Sequence, residues 1–205
     1  MTTCIGLTGG IASGKSTVSS ILVELGADYI NADLVGHHIY LPGKKAWKEI
    51  IETWGEELLL PDGAINRQKL GSIVFSDPQA LARLNQITHP RIYAELQEEV
   101  ASRKAARSGK KALVVEAAVL IEAKWLPLCD KVWVVVAHEE TAVKRLALSK
   151  GMTPEQAKAR IAAQLSNEER IKYADVVIQN NGALEEVRKQ VEKAWRELAA
   201  TSTGP

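Results

Sequence analysis

One stretch near the N-terminus constrains the fold more than any other part of the chain. It runs Gly9-Gly10-Ile11-Ala12-Ser13-Gly14-Lys15-Ser16-Thr17 and fits G-x-x-x-x-G-K-[ST], the phosphate-binding P-loop. Glycines let consecutive backbone N–H groups turn toward one anion at positions where a Cβ would be strained. We therefore expect the residues from Gly10 to Thr17 to bind ATP. Lys15 would contact the β- and γ-phosphates, and the Ser16 hydroxyl would bind Mg²⁺.

The residues on both sides of this loop supply the context that the motif requires. A short, mainly apolar run, Thr3 to Thr8, precedes it and has the length of a strand. Apolar residues at helical spacing follow it, and Gly26 ends that pattern; they are Val18, Ile21, Leu22 and Leu25. A strand, a glycine-rich loop and a helix in this order favour a true phosphate site over a chance match.

The remaining pattern predicts an α/β protein. Further apolar runs at 27–32, 112–115, 131–137 and 174–179 predict strands, and helical patterns separate them. Parallel strands need crossover helices, so we expect a five-stranded parallel sheet flanked by helices, the P-loop NTPase/kinase fold.

The predicted organisation is a single kinase unit over residues 1–205 with two additions. A core spans about 1–41, 108–138 and 173–200. A helical insertion that shapes a substrate pocket spans about 42–107, and a lid spans about 139–172. Inside the insertion, helices are predicted over 65–75, 78–87 and 91–104, with His89-Pro90 interrupting the last two.

Bulk composition excludes several classes of function. The formal net charge is +1, so no strong field favours nucleic acid or a membrane as partner. No 18-residue apolar run occurs, and two cysteines give neither a metal spacing nor a disulfide framework. The first ten residues already form the predicted strand and loop, which leaves no place for a signal peptide. We expect a cytoplasmic protein, with the oligomeric state open and a monomer as one option.

Three kinds of charged residue are candidates for catalysis or metal binding. Asp33 ends the second predicted strand, at the sheet edge where such folds bind ligands; it would equally serve as the N-cap of a helix starting near Leu34. Glu116 ends the third predicted strand, where an acidic residue holds Mg²⁺ through water or simply belongs to a loop. Arg145 and Arg160 lie in the cation-rich lid segment, either as ligands of the transferring phosphoryl group or as residues of exposed helices.

With these pieces placed, the chain resembles the dephospho-CoA kinase family from Gly6 to about Trp195. The motifs that carry the resemblance begin with Gly6-Leu7-Thr8 running into the P-loop. They continue with Asn31-Ala32-Asp33, Asp62-Gly63 with Arg67 and Leu70, His89-Pro90, Leu120-Ile121-Glu122, Arg145-Leu146, Arg160-Ile161 with Gln164, and Ala174-Asp175 with Asn180. Their shared order and spacing are far more specific than the P-loop alone.

The resemblance implies an ATP-dependent kinase that phosphorylates the 3′-hydroxyl of dephospho-CoA, the last step of coenzyme A biosynthesis. It implies that Asp33 activates that hydroxyl and that Arg145 and Arg160 belong to the lid. The resemblance places the loop from Asn180 to Gly182 beside the adenine. It further assigns Thr8, Asp33, Arg67 and His89 to the acceptor substrate.

The chain departs from the family pattern at three places. Asn31 stands where a second Asp is usual, Ala118-Val119-Leu120 replaces Pro-Leu-Leu, and Ser149 replaces a second lid arginine. The sequence also leaves two other functions open. One is a different small-molecule or nucleotide kinase. The other is a nucleotide-dependent switch protein, although the chain has no Asn-Lys-x-Asp base-reading motif.

Overall fold

The computed structural model describes residues 2–106 and 109–201. The predicted boundary between insertion and core, at 107 and 108, and the tail 202–205 lie outside these residues. Within them, a parallel sheet has the order β2-β3-β1-β4-β5. Its strands are β1 Thr3–Gly9, β2 Asp28–Asn31, β3 Ala112–Glu116, β4 Lys131–Val136 and β5 Val176–Gln179. The predicted fold class is confirmed.

The helices complete an alternating β/α arrangement. They are α1 Lys15–Glu24, α2 Ala32–Ile39, α3 Lys45–Trp54, α4 Arg67–Ser76, α5 Pro78–Ala105, α6 Glu139–Lys150, α7 Pro154–Ala162, α8 Asn167–Ile171 and α9 Leu184–Thr201. Apolar residues of α1 and α9, such as Leu22 and Val191, pack with strand residues such as Leu7 and Val135 in one buried core. This burial is the main stabilisation of the sheet. No helix in 2–106 or 109–201 is long and apolar enough to cross a bilayer.

The chain divides into two compact units. The sheet unit contains the residues up to Asn31 and those from Val100 onward, and therefore the sheet and the P-loop. The helical unit is Ala32–Glu99.

The predicted interruption at His89-Pro90 is wrong. A single helix, α5, runs from Pro78 to Ala105 with Pro90 inside it. Proline removes one helical hydrogen bond and usually kinks or ends a helix. Here buried residues on both sides of it, including Ile87, Ile92 and Leu96, favour a continuous helix, because most helical stability in a folded protein comes from packing of the apolar face.

The second strand is shorter than predicted, which changes the local role of Asp33. β2 ends at Asn31 and α2 begins at Ala32. Asp33 therefore lies in the first turn of α2 and not at its N-cap. A carboxylate there interacts favourably with the helix dipole, so the helix-cap alternative from the sequence is replaced by a position inside the helix.

Candidate active site

The P-loop has the backbone conformation that its glycines predict. Gly14 has a φ of 92°, in the left-handed region, immediately before α1 begins at Lys15. A Cβ on Gly14 would also lie 2.0 Å from Nδ2 of Asn180. Both the backbone and the neighbouring side chain therefore require glycine at this position.

The ammonium of Lys15 lies at the start of the loop. Its Nζ donates to the carbonyl oxygens of Gly9 at 3.0 Å and Gly10 at 3.3 Å. These two hydrogen bonds fold the Lys15 side chain back over the part of the P-loop that precedes it in the chain. A positive charge is thus held beside the amides that the motif predicts to bind phosphate.

A cavity of about 590 Å³ opens beside the loop within the sheet unit. It is lined by Ala12, Gly14, Lys15, Ser16, Thr17, Glu116, Arg145, Leu148, Ser149, Asn180, Gly182 and Leu184. Most of the nucleotide ligands predicted from the sequence therefore share one cavity. Leu148 and Leu184 have exposed fractions of 89% and 51%, so this cavity also offers apolar surface of the kind that binds a nucleobase.

Arg145 joins three separate parts of this cavity. Its Nη1 donates to the carbonyl oxygens of Ala12 at 3.1 Å and Ser13 at 3.3 Å. Its Nη2 donates to O and Oδ1 of Asn180, at 3.1 and 2.9 Å. Asn180 in turn donates from Nδ2 to the Ser13 carbonyl at 2.8 Å. The planar guanidinium therefore fixes α6 to the P-loop and to the residue after β5.

Glu116 lies in the same cavity as Lys15 and Ser16. The hydroxyl of Tyr29 donates to its Oε2 at 2.9 Å. Burial, followed by the negative charge of Glu116, raises the pKa of Tyr29 to about 12, so the tyrosine stays a neutral donor. The Ser16 hydroxyl and this oriented carboxylate are oxygen ligands of the type that Mg²⁺ prefers. Among the described residues, no cluster of three or more His, Cys, Asp or Glu side chains forms an all-protein metal site.

Thr8 and Arg160 are predicted site residues of the sheet unit that lie outside both the P-loop and the lining of this cavity. Thr8 is fully buried in β1, where its Oγ1 donates to the Ala118 carbonyl at 3.4 Å. Arg160 is exposed in the last turn of α7.

The helical unit contains the other residues predicted for the acceptor substrate. Arg67 opens α4, and its guanidinium carbon lies 5.5 Å from the ring centroid of Tyr40. This cation–π contact favours one orientation of the exposed Arg67 side chain. His89 is half-buried in α5. Asp33 follows β2 closely in the chain, in the first turn of α2.

A buried arginine in the segment predicted to be the lid was not identified from the sequence. Arg170 is 0% exposed, and its Nη2 lies 2.7 Å from Oε1 of Glu122. It also donates to the carbonyls of Leu165 and Ala118, at 3.1 and 3.3 Å. No local pattern distinguishes Arg170 from its solvated neighbours, because its burial depends on contacts about 50 residues away in the chain. Glu122, which the resemblance included, is thus an ion-pair partner.

Comparison with known proteins gives consistent matches to one family. The dephospho-CoA kinase family model matches residues 3–186. The chain is 46% identical over 192 residues to a dephospho-CoA kinase of Symbiobacterium thermophilum, covering 94% of this chain and 80% of the relative. It is 47% identical over 191 residues to one of Geobacter sulfurreducens, with 93% and 96% covered.

Solved structures give the same result at the level of the fold. A dephospho-CoA kinase from Campylobacter jejuni is similar with a TM-score of 0.74 and 30% identity, over 99% of this chain and 100% of that one. A shikimate kinase from Bacteroides thetaiotaomicron has a TM-score of 0.54 at 15% identity, over 96% and 98%. The second likeness concerns the fold alone.

Proposed function

The chain belongs to the dephospho-CoA kinase family, and we propose that it transfers the γ-phosphoryl group of ATP to the 3′-hydroxyl of dephospho-CoA, giving CoA and ADP. The observation that carries this proposal is the shared cavity in which Lys15, Ser16, Arg145 and Asn180 meet the P-loop amides. In the reaction the hydroxyl oxygen forms a bond to the γ-phosphorus. The bond from that phosphorus to the β,γ-bridging oxygen breaks, and the hydroxyl proton leaves to a base.

On the donor side, the loop amides and Lys15 would bind the β- and γ-phosphates, and Arg145 would hold the loop against Asn180. The cavity volume and the exposed Leu148 and Leu184 support binding of the nucleoside. Ser16 and Glu116 would hold Mg²⁺, directly and through water, and the ion would supply positive charge to the phosphates. Such positioning and charge stabilisation is the main source of catalysis in phosphoryl transfer.

On the acceptor side, we propose that Asp33 accepts the proton of the 3′-hydroxyl and that Arg67 and His89 bind the rest of dephospho-CoA. The resemblance supports these assignments, and the cation–π contact that directs Arg67 is consistent with an anion-binding arginine. Binding of remote parts of a substrate orients its reacting hydroxyl and so contributes to the rate. We also propose that residues 42–107 form this acceptor region and that residues 139–172, with Arg145 and Arg160, act as the lid.

A substrate panel tests the proposal. The purified chain is incubated with ATP and Mg²⁺ plus dephospho-CoA, AMP, adenosine or a sugar, and ADP release and product mass are measured. We expect dephospho-CoA to give the highest kcat/KM and a product with one added phosphate at the 3′ position. Equal turnover of AMP, adenosine or a sugar would show a P-loop kinase with a different acceptor. Nucleotide binding without phosphoryl transfer to any of them would favour a switch protein.

A further inference from the structure

Gln164 is the residue through which the lid segment contacts the beginning of the P-loop. It lies between α7 and α8, and its Oε1 accepts a hydrogen bond from the backbone N–H of Ile11 at 2.7 Å. Because this donor requires an oxygen acceptor, the contact also fixes the orientation of the side-chain amide. The Nε2 group is therefore held on a defined side of the loop.

That Nε2 group has no protein acceptor in the part of the chain that the structure describes. Gln164 lines a second cavity of about 450 Å³ together with Gly10, Ile11 and Ser13. The Oγ of Ser13, only 3% exposed, likewise has no hydrogen-bond partner in residues 2–106 and 109–201. Polar groups at this edge of the loop are thus available to a ligand, since buried polar groups are normally paired.

The same peptide group links Gln164 to the phosphate-binding lysine. Gln164 binds the nitrogen of the Gly10–Ile11 peptide, and Lys15 binds its oxygen at 3.3 Å. The larger cavity, proposed to hold the nucleoside, is lined instead by Ala12 and by Gly14 to Thr17. A nucleotide seated in that cavity would therefore extend its terminal phosphate toward Gly10, Ile11 and Gln164.

Two carboxylates, Glu139 and Glu168, also line the second cavity. Both are exposed, and they disfavour an anion beside them because like charges repel. Binding of a phosphate is consequently expected only at the loop edge, where the Lys15 charge is close. A phosphate bound only at the loop edge would belong to a ligand that is held by the P-loop. The cavity would then not be a separate anion site.

The position of Gln164 is supported by the ion pair between buried Arg170 and Glu122. Arg170 donates from Nε to the carbonyl of Leu165, the residue next to Gln164, at 3.1 Å, and pairs with Glu122 at 2.7 Å. A fully buried guanidinium with these partners is costly to displace. The backbone beside Gln164 is therefore rigidly held, as expected for a group that must meet a small ligand accurately.

We propose that Gln164 recognises the γ-phosphoryl group of ATP: Oε1 anchors the amide on Ile11, and Nε2 donates to a γ-phosphoryl oxygen. This inference rests on the proposed function for the identity of the nucleotide. It makes the Gln164 amide a direct ligand of the transferring group alone, while the anchor on Ile11 affects the α- and β-phosphates only indirectly, through the loop backbone. Arg170 is a positioning residue that acts through the backbone at Leu165.

Gln164→Glu tests this because glutamate keeps an oxygen for Ile11 and replaces the donor with a second oxygen. Calorimetry on the full chain with Mg²⁺ compares ADP with a non-hydrolysable ATP analogue. We expect the Kd of the analogue to rise by about tenfold or more and that of ADP by less than about threefold, as for one lost charge-assisted hydrogen bond. The exposed Gln79→Glu is the matched control and should change neither value.

Gln164→Ala removes the anchor as well as the donor, so it should also weaken ADP binding. Equal losses for ADP and the analogue in Gln164→Glu, or no loss for either, would overturn the proposal. Unchanged ADP binding in Gln164→Ala would contradict the anchoring role of Oε1. The wild-type substrate panel separates these outcomes from failure of the proposed function, because the analogue and ADP are compared without any acceptor.

Discussion

The proposed nucleotide side and the proposed acceptor side of this protein are built in different ways. On the nucleotide side, one continuous loop would supply most of the ligands, and Arg145 donates two hydrogen bonds to that loop and two to Asn180. On the acceptor side, the proposed ligands Asp33, Arg67 and His89 come from three different helices of the helical unit. A site made of backbone amides is identified by a short motif, whereas a site made of separate side chains is identified only by a long resemblance. The variants below test whether the two sides also differ in the kinetic step they control.

Asp33→Asn has the largest expected effect. The amide keeps the size of the side chain but cannot accept the hydroxyl proton, so kcat should fall by about 10²–10⁴-fold. Affinity for ATP should remain near that of the wild type. Single-turnover rates and ATP titration measure the two quantities. If the melting temperature falls while kcat is retained, Asp33 serves only the first turn of α2.

Lys15→Ala should lower kcat/KM by about 10²–10³-fold, equivalent to about 2.7–4 kcal/mol of lost transition-state stabilisation. The melting temperature should change little, because the ammonium donates to the carbonyls of Gly9 and Gly10 and is not part of the apolar core. Steady-state kinetics and thermal melting provide the measurements. Lys189→Ala, an exposed lysine of the same unit, is the control. Near-normal turnover in a folded Lys15 variant would show that Lys15 is not part of the active site.

Arg145→Ala should weaken ATP and ADP binding together and slow phosphoryl transfer by about tenfold or more. The loop and Asn180 lose the guanidinium that joins them, so both nucleotides are affected. Arg145→Lys should restore little, since one ammonium cannot replace a planar fork of donors. Exposed Arg196→Ala is the control. A loss of kcat with unchanged ADP affinity would instead assign Arg145 to the γ-phosphoryl group alone.

Arg67→Ala should act on the acceptor alone. We expect the KM for dephospho-CoA to rise by about tenfold, with the KM for ATP within about twofold, from loss of one charged contact to the substrate. Arg83→Ala, an exposed arginine of the same unit, should alter neither. A parallel rise in both KM values would mean that Arg67 contributes to the nucleotide side as well as to the acceptor side.

Arg160→Ala is expected to have the smallest effect, a reduction of the single-turnover rate by less than about tenfold. Arg160 is exposed and lies outside the lining of the nucleoside cavity, so it would contribute only when the lid segment approaches the phosphates. Rapid-quench measurements at saturating ATP detect this difference. Normal rates in both Arg145→Ala and Arg160→Ala would contradict the lid assignment of residues 139–172.

The sequence predicted the elements whose cause is local. The P-loop, its flanking β1 and α1, and the parallel sheet follow from glycine placement and from runs of apolar residues. Errors arose where packing decides the outcome. Pro90 predicts a break in any isolated helix, but burial of Ile87 and Ile92 favours a continuous α5. The alternative in which Asp33 is an N-cap was wrong for a similar reason. The whole of β2 pairs with β3, and α2 begins directly after β2 in the chain.

The sequence by itself determined that this chain has a phosphate-binding loop on a parallel α/β sheet, since both depend on backbone conformation and short-range hydrophobic pattern. Only the tertiary structure decided which polar side chains meet that loop. Gln164 reaches Ile11 across 153 positions and Arg170 reaches Glu122 across 48. Neither contact leaves a local signature, because a glutamine or arginine on an amphipathic segment has the same sequence context whether it faces water or a partner. The folded chain supplies the difference, because a polar group that loses contact with water is costly unless it is paired with a protein partner.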